Sequence, residues 1–164
     1  MEQPIIVAMA RKLGELGVEA KPISYARARP GGDLAPEIAE VRDARHGLKA
    51  DRVALVGRSF GGRVCTRLAA VEPPHALVVL GHPISPRNRP RPEDEAALAA
   101  VRCPTLVVQG DRDPLGPLLV LQRIAATNAS IELFVLKDTG HNFAKHQAEG
   151  VAYAAEWLSK VLRT

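Results

Sequence analysis

The sequence has few aromatic residues, and this scarcity argues against one broad class of binding protein. Phenylalanine, tryptophan and tyrosine together make up 4% of the 164 residues. Proteins that hold single-stranded nucleic acid stack its bases on aromatic side chains. The net charge of +4 is small, and the only concentrated basic stretch is a Pro-rich loop with Arg87, Arg89 and Arg91. We therefore predict no binding to nucleic acid.

Cysteine is also scarce, with only Cys65 and Cys103 in the chain. Neither has a second cysteine or a histidine at a spacing typical of metal ligands. We expect both to be buried free thiols in a reducing compartment. The sequence implies neither a metal nor an organic cofactor.

Long hydrophobic runs are missing as well. No apolar stretch is long enough to cross a bilayer, and the N-terminus lacks the charged-then-apolar pattern of a signal peptide. We expect a cytoplasmic protein that does not contact a membrane. The chain has no internal repeat, no low-complexity tract and no segment resembling a linker, so residues 1–164 are expected to form a single domain.

What the chain does contain is an alternation of short apolar runs with segments of helical spacing. This alternation predicts an α/β fold, a doubly wound and mainly parallel sheet of about five strands with helices on both faces. The predicted strands are 18–25, 52–56, 76–80, 105–109 and 131–136, the first being the least regular. The predicted helices are 4–16, 36–48, 63–71, 93–101, 114–126 and 146–162.

The most informative stretch is Gly57-Arg-Ser-Phe-Gly61, a G-x-S-x-G motif between a predicted strand and a predicted helix. A strand, a tight turn and a helix are the setting of a nucleophile elbow, where a serine takes strained backbone angles and exposes its hydroxyl. We expect Gly57 and Gly61 to approach each other so closely that a Cβ on either would clash. The alternative is that Ser59 is a turn residue between glycines.

Two further loops carry the groups that a serine nucleophile needs. Asp113 and His141 each follow a predicted strand, and the loops at the carboxyl ends of parallel strands share one edge of the sheet. The order Ser, Asp, His is that of the α/β-hydrolase triad. In this scheme His141 takes the proton of Ser59, and Asp113 orients His141. The backbone N–H of Phe60 is one oxyanion donor.

Each of these residues also has an ordinary structural interpretation. Asp113 fits as the cap of the following helix, while Asp111 competes for the role of the acid and Asp138 is a more distant candidate. His141 alone fits a loop histidine that hydrogen-bonds to the backbone. His82 follows strand 76–80 and is a candidate for substrate contact. The joint arrangement of serine, acid and histidine favours the catalytic interpretation.

Several segments resemble a known family. They are Gly57–Arg63, Leu80–Ile84, Arg91–Asp94, Pro104–Gly116 and Gly140–Phe143. They are similar to segments of the α/β-hydrolases related to testis-expressed protein 30 and the KANSL3-like proteins, and the resemblance covers nearly the whole chain. It implies an α/β-hydrolase fold with Ser59, Asp113 and His141 in the triad positions, and it specifies no substrate.

The start of the chain departs from this family's pattern. Family members carry a strand and a His-Gly loop upstream of their first helix, and that loop supplies the second oxyanion donor. This sequence starts at Met1, where the family's first helix begins. The resemblance therefore implies an N-terminally incomplete domain. The strand edge left open beside the elbow is where we expect a protein partner or self-association.

Two functional hypotheses follow from these features. The first is a serine hydrolase that cleaves a small ester, thioester or amide through an acyl-enzyme on Ser59. The short segment 81–100 leaves little room for a lid, so its pocket should be small and open. The second is a non-catalytic hydrolase-fold module that binds or scaffolds, because one oxyanion donor is missing. The intact serine, acid and histidine favour the first.

Overall fold

The computed structural model describes residues 3–164, and at its centre lies a sheet of four parallel strands. The strands are β1 (Ala54–Arg58), β2 (Ala76–Leu80), β3 (Thr105–Gly110) and β4 (Ile131–Leu136). The helices are α1 (Pro4–Glu15), α2 (Ala35–His46), α3 (Phe60–Val71), α4 (Pro92–Ala99), α5 (Leu118–Ala125) and α6 (Gln147–Arg163). The spatial order β1-β2-β3-β4 is the chain order.

Helices cover both faces of this sheet, as predicted. One face packs against α2, α3, α4 and α5, with Leu68, Leu77 and Val107 in its core. The other packs against α1 and α6, with Met9 and Leu158 in its core. Every residue of β2 and β3 is buried, because a parallel strand between two helical layers has no solvent face. The predicted α/β class is confirmed.

The predicted strand at residues 18–25 is wrong. The segment has no regular structure and does not pair with β1, so the described sheet has four strands rather than five. Pro22 has no N–H to donate to a ladder. The residues between Val18 and Tyr25 are exposed, so burial of one face does not favour a strand. As a result β1 is an edge strand.

The other predicted elements are present; strands 76–80 and 131–136 have the predicted bounds, and the remaining elements have shifted ends. The elbow strand is β1 at Ala54–Arg58 rather than 52–56, and α3 begins at Phe60 rather than 63. The largest shift is at α5, which begins at Leu118 rather than 114. The intervening residues form a turn in which the Asp113 carboxylate accepts the Leu115 N–H at 2.9 Å.

β1 passes into α3 through a single residue, Ser59. Its backbone angles are φ 52° and ψ −114°, a left-handed φ that a residue with a side chain rarely adopts. Such a conformation costs about 1–3 kcal/mol and persists only where the surroundings impose it. The Ser59 N–H donates to the Leu80 carbonyl at 3.1 Å, which fixes the turn to the end of β2.

Two glycines allow α3 to lie this close to the sheet. A Cβ on Gly57 would collide with the backbone carbonyl of Gly61, as predicted, and one on Gly62 would lie 2.5 Å from Val79 Cγ1. The corresponding expectation for Gly61 is wrong, because a Cβ there would meet only Tyr25 Oη at 3.6 Å, an ordinary contact. The restricted positions are therefore 57 and 62.

A buried polar network joins the loops after β2 and β3. His82 is fully buried, and its N–H donates to Gln109 Oε1 at 2.8 Å. Within residues 3–164 neither imidazole nitrogen has a hydrogen-bond partner. Burial, which disfavours the imidazolium, lowers the pKa of His82 from 6.5 to about 4. Asp94 opposes this shift, and Arg63 adds to it.

The difference between Gly57 and Gly61 gives a stability prediction. Gly57→Ala forces a Cβ into a backbone carbonyl, and we expect it to lower the free energy of unfolding by about 3 kcal/mol or more. Gly61→Ala, the matched control, should be neutral or stabilise by up to about 1 kcal/mol. Urea denaturation measures both. Equal losses for the two variants would contradict the geometry.

The buried imidazole gives a pH prediction. Between pH 6.5 and about 4 the unfolded chain binds a proton at His82 that the folded chain does not, so stability falls as the pH falls. From pH 7 to pH 5 this contribution is about 2 kcal/mol. Urea denaturation of His82→Gln should show a pH dependence smaller by that amount than that of wild type. Parallel curves for the two proteins would refute this account of His82.

Candidate active site

Three loops at the carboxyl end of the sheet bring the predicted side chains together. Ser59 Oγ lies 2.8 Å from His141 Nε2, and His141 Nδ1 lies 2.7 Å from Asp113 Oδ2. With the imidazole proton on Nδ1, His141 donates to the carboxylate and accepts from the hydroxyl. This is the arrangement in which a histidine can withdraw a proton from a serine.

Asp113 is held from several sides and is 3% exposed. Its Oδ1 accepts the Leu115 N–H at 2.9 Å, and Gln109 Nε2 lies 3.1 Å from its Oδ2. It does not cap α5, whose N-terminal residue is preceded by Pro117 and has no side-chain cap. The structure therefore does not support Asp113 as a helix cap, and it places the carboxylate beside His141.

The competing acids lie elsewhere. The Asp111 carboxylate accepts the Thr139 N–H at 3.1 Å, and this bond is the main cause that lowers the pKa of Asp111. Asp138 forms an exposed ion pair with Arg112 at 2.7 Å. Asp111 therefore supports the loop that carries His141 without touching the imidazole.

Gln109 is a site residue that the sequence analysis missed. Its Nε2 lies within hydrogen-bond distance of Asp113 Oδ2, the Gly116 carbonyl at 2.8 Å and the His82 carbonyl at 3.2 Å. The one signal in the sequence is a lone amide at the end of the predicted strand 105–109, directly after Leu106, Val107 and Val108. This side chain fixes Asp113 to the loops on either side of it.

Ser59 and His141 border an open cleft of about 370 Å³, which the first residues of α1 and α6 complete. Phe60 is the first residue of α3, so its N–H has no acceptor within the helix. His82, which was a candidate for substrate contact, is fully buried and does not border this cleft.

A second and larger cavity, of about 920 Å³, follows the open edge of β1. Its walls include β1, the irregular segment 18–25, Phe60 and Cys65. Both cysteines are free and buried, and burial raises the pKa of Cys65 to about 12. Among the described helices none is both long enough and apolar enough to span a membrane.

Solved structures share this architecture. The chain is similar to Est1E from Butyrivibrio proteoclasticus, with 18% identity, a TM-score of 0.76, and coverage of 99% of this chain and 84% of that one. It is also similar to a serine hydrolase without a lid from Xanthomonas campestris, with 24% identity, a TM-score of 0.70, and coverage of 100% and 76%. At these identities the likeness establishes the fold.

A search of curated proteins finds no match. A family model described as an alpha/beta hydrolase domain matches residues 27–163, which include all three side chains of the hydrogen-bonded array. The match extends over most of the sequence and agrees with the parallel sheet, the turn at Ser59 and the likeness to solved hydrolases. The chain belongs to the α/β-hydrolase family.

Proposed function

We propose that this protein is a serine hydrolase that cleaves a small ester, thioester or amide through a Ser59–His141–Asp113 triad. The observation that carries the proposal is the continuous array of two hydrogen bonds, 2.8 Å and 2.7 Å long, that joins the three side chains. The left-handed backbone of Ser59 supports the same role, because strain of this kind presents a nucleophile. Within the family, we propose a relationship to the hydrolases near testis-expressed protein 30.

The proposed reaction has two halves. Ser59 Oγ attacks the carbonyl carbon while its proton moves to His141 Nε2. The tetrahedral intermediate collapses, the bond to the leaving group breaks, and His141 returns the proton to the departing oxygen, sulfur or nitrogen. Water then loses a proton to His141 and attacks the acyl-enzyme. The acid leaves, and Ser59 regains its proton.

Asp113 supports both halves through charge. A buried carboxylate 2.7 Å from Nδ1 stabilises the imidazolium that forms whenever Nε2 accepts a proton. It also keeps the neutral ring in the tautomer that leaves Nε2 free to accept. Gln109 and the Leu115 N–H hold the carboxylate in place, so little reorganisation is needed as charge develops.

The proposed oxyanion donor is the N–H of Phe60. It lies at the N-terminus of α3, where the helix dipole also favours a negative charge. One such donor is worth about 100- to 1,000-fold in rate.

The cleft favours small substrates. Its volume of about 370 Å³ is near the lower end of ligand pockets, and residues 81–91 and α4 form no lid over it. Among structurally similar enzymes, Est1E has been observed with ferulic acid, and the Xanthomonas protein is described as lacking a lid. We therefore propose a substrate with a small acyl group. We also propose that the protein is located in the cytoplasm.

The open edge of β1 favours a second candidate function, a binding module. The Ser59 N–H is directed at β2, and alternate residues of a strand direct their backbone groups to opposite sides. The N–H and C=O of Val56 therefore face the cavity of about 920 Å³. Unpaired strand edges of this kind pair with strands of other chains. A second copy is the simplest partner.

The hydrolase proposal is tested with a fluorophosphonate probe, which labels a reactive serine, and with the activated ester p-nitrophenyl acetate. Wild type should be labelled and should release nitrophenol. Ser59→Ala should lose labelling completely and lose at least about 1,000-fold in kcat. Ser85→Ala, at a serine outside the triad, serves as the control and should behave as wild type. If the protein is folded by circular dichroism and is not labelled, the enzyme proposal is refuted.

The second candidate is tested by sedimentation velocity over a range of concentrations. We expect a concentration-dependent dimer, and Val56→Pro, which removes an outward N–H, should abolish it. Lys137→Pro, beyond the end of the opposite edge strand β4, is the control and should leave the dimer intact. A monomer at every concentration would rule out self-association through β1.

A further inference from the structure

We propose that Arg58 is a positioning residue that holds the His141 loop at the distance from Ser59 needed for proton transfer. The role rests on the proposed hydrolase function, and it concerns the residue immediately before the nucleophile. Its side chain leaves β1, crosses the end of β2 and reaches the loop after β4.

The contacts of Arg58 connect three elements of the site. Nη1 donates to the Leu80 carbonyl at 3.0 Å, and Nη2 donates to the carbonyl of His141 itself. The guanidinium also lies over the ring of Phe143, 4.9 Å from its centroid. Because Leu80 also accepts the Ser59 N–H, one carbonyl joins Arg58 to the nucleophile turn.

The loop that carries His141 needs such support. Asp138, Phe143 and Ala144 have positive φ values of 53°, 62° and 42°, although none is glycine. Conformations like these persist only where neighbouring contacts hold them. Two hydrogen bonds hold the loop at Thr139. The Arg112 N–H donates to the Thr139 carbonyl at 2.9 Å, and the Thr139 N–H donates to the Asp111 carboxylate at 3.1 Å.

At His141 the support comes from Arg58. Among the hydrogen bonds of residues 3–164, the Arg58 bond is the only one to the His141 backbone. Thr139 lies two residues upstream, and the buried ring of Phe143 lies two residues downstream beneath the guanidinium. Without Arg58 the backbone of His141 loses this hydrogen bond, and the nearest restraints on the loop are those at Thr139 and Phe143.

The surroundings of Arg58 are shaped to keep it in this position. Gly81 has φ 71°, and a Cβ there would collide with Arg58 Nη1. The guanidinium forms no ion pair within the described chain, so its charge strengthens the bonds to the two carbonyls instead. A half-buried arginine directed at main-chain carbonyls acts as a clamp, because its planar fork fixes two acceptors at once.

Loss of this clamp should slow the chemical step, and because Arg58 also borders the cleft, kcat rather than KM is the kinetic readout. A misplacement of about 1 Å in a reacting group costs on the order of 100-fold in rate. In Arg58→Met, which keeps most of the aliphatic stem, we expect kcat for p-nitrophenyl acetate to fall about 100-fold. Arg58→Lys should have a kcat between those of Arg58→Met and wild type, because a single ammonium cannot hold both carbonyls.

Arg45→Met is the matched control. Arg45 is also half-buried and also donates to two main-chain carbonyls, those of Glu72 at 2.7 Å and Pro73 at 3.0 Å. It acts at the far end of α3, roughly 18 Å from Ser59 along a helix of 12 residues. Its loss should cost similar stability and leave kcat unchanged.

A second readout does not depend on turnover. In a Ser59→Ala background, proton NMR should show a far-downfield resonance for the proton between His141 Nδ1 and Asp113. Adding Arg58→Met should broaden or abolish it, and adding Arg45→Met should not. An unchanged resonance in the Arg58 variant would overturn the proposal, as would an unchanged kcat. A wild type that fails to turn over refutes the hydrolase function alone, because the NMR comparison still tests Arg58.

Discussion

The close approach of β1 and α3 is the constraint on which the site depends. Gly57 lies against the backbone of Gly61, and Gly62 lies against Val79, so a single residue, Ser59, can separate the strand from the helix. Any side chain at positions 57 or 62 would push α3 away from the sheet. The contact therefore sets the place of the Ser59 hydroxyl and of the Phe60 N–H together.

Two polar networks extend this constraint to the rest of the site. Gln109 binds the loops that hold His82, Asp113 and Gly116, and so connects Asp113 to the centre of the sheet. Arg58 connects His141 to the turn at Ser59 from the other side. These contacts hold the three side chains of the array at hydrogen-bond distances of 2.8 Å and 2.7 Å.

Much of this organisation could be predicted from the sequence, because it depends on patterns of local origin. The apolar runs of β2, β3 and β4 and the helical spacing of α1 and α6 are such patterns, and all five elements are present. The three side chains of the array were predicted from their positions after parallel strands. Their grouping follows from the topology alone.

The incorrect and missed predictions have a different origin. The segment 18–25 has strand-like residues such as Ile23 and Tyr25, but whether a strand forms depends on a partner that no local pattern reveals. Gln109 and Arg58 were missed because their roles consist of contacts to carbonyls distant in sequence. The restriction at Gly62 rather than Gly61 depends on how α3 is rotated against Val79.

The order of the strands has a consequence for how the protein is made. Because each strand pairs with the one that precedes it in the chain, every strand–helix–strand unit can close while the ribosome is still adding the next. The turn at Ser59, between β1 and α3, belongs to the unit that contains β1. His141 follows β4. The Ser59 hydroxyl therefore meets the His141 imidazole only after β4 has paired with β3 and the loop after β4 has docked.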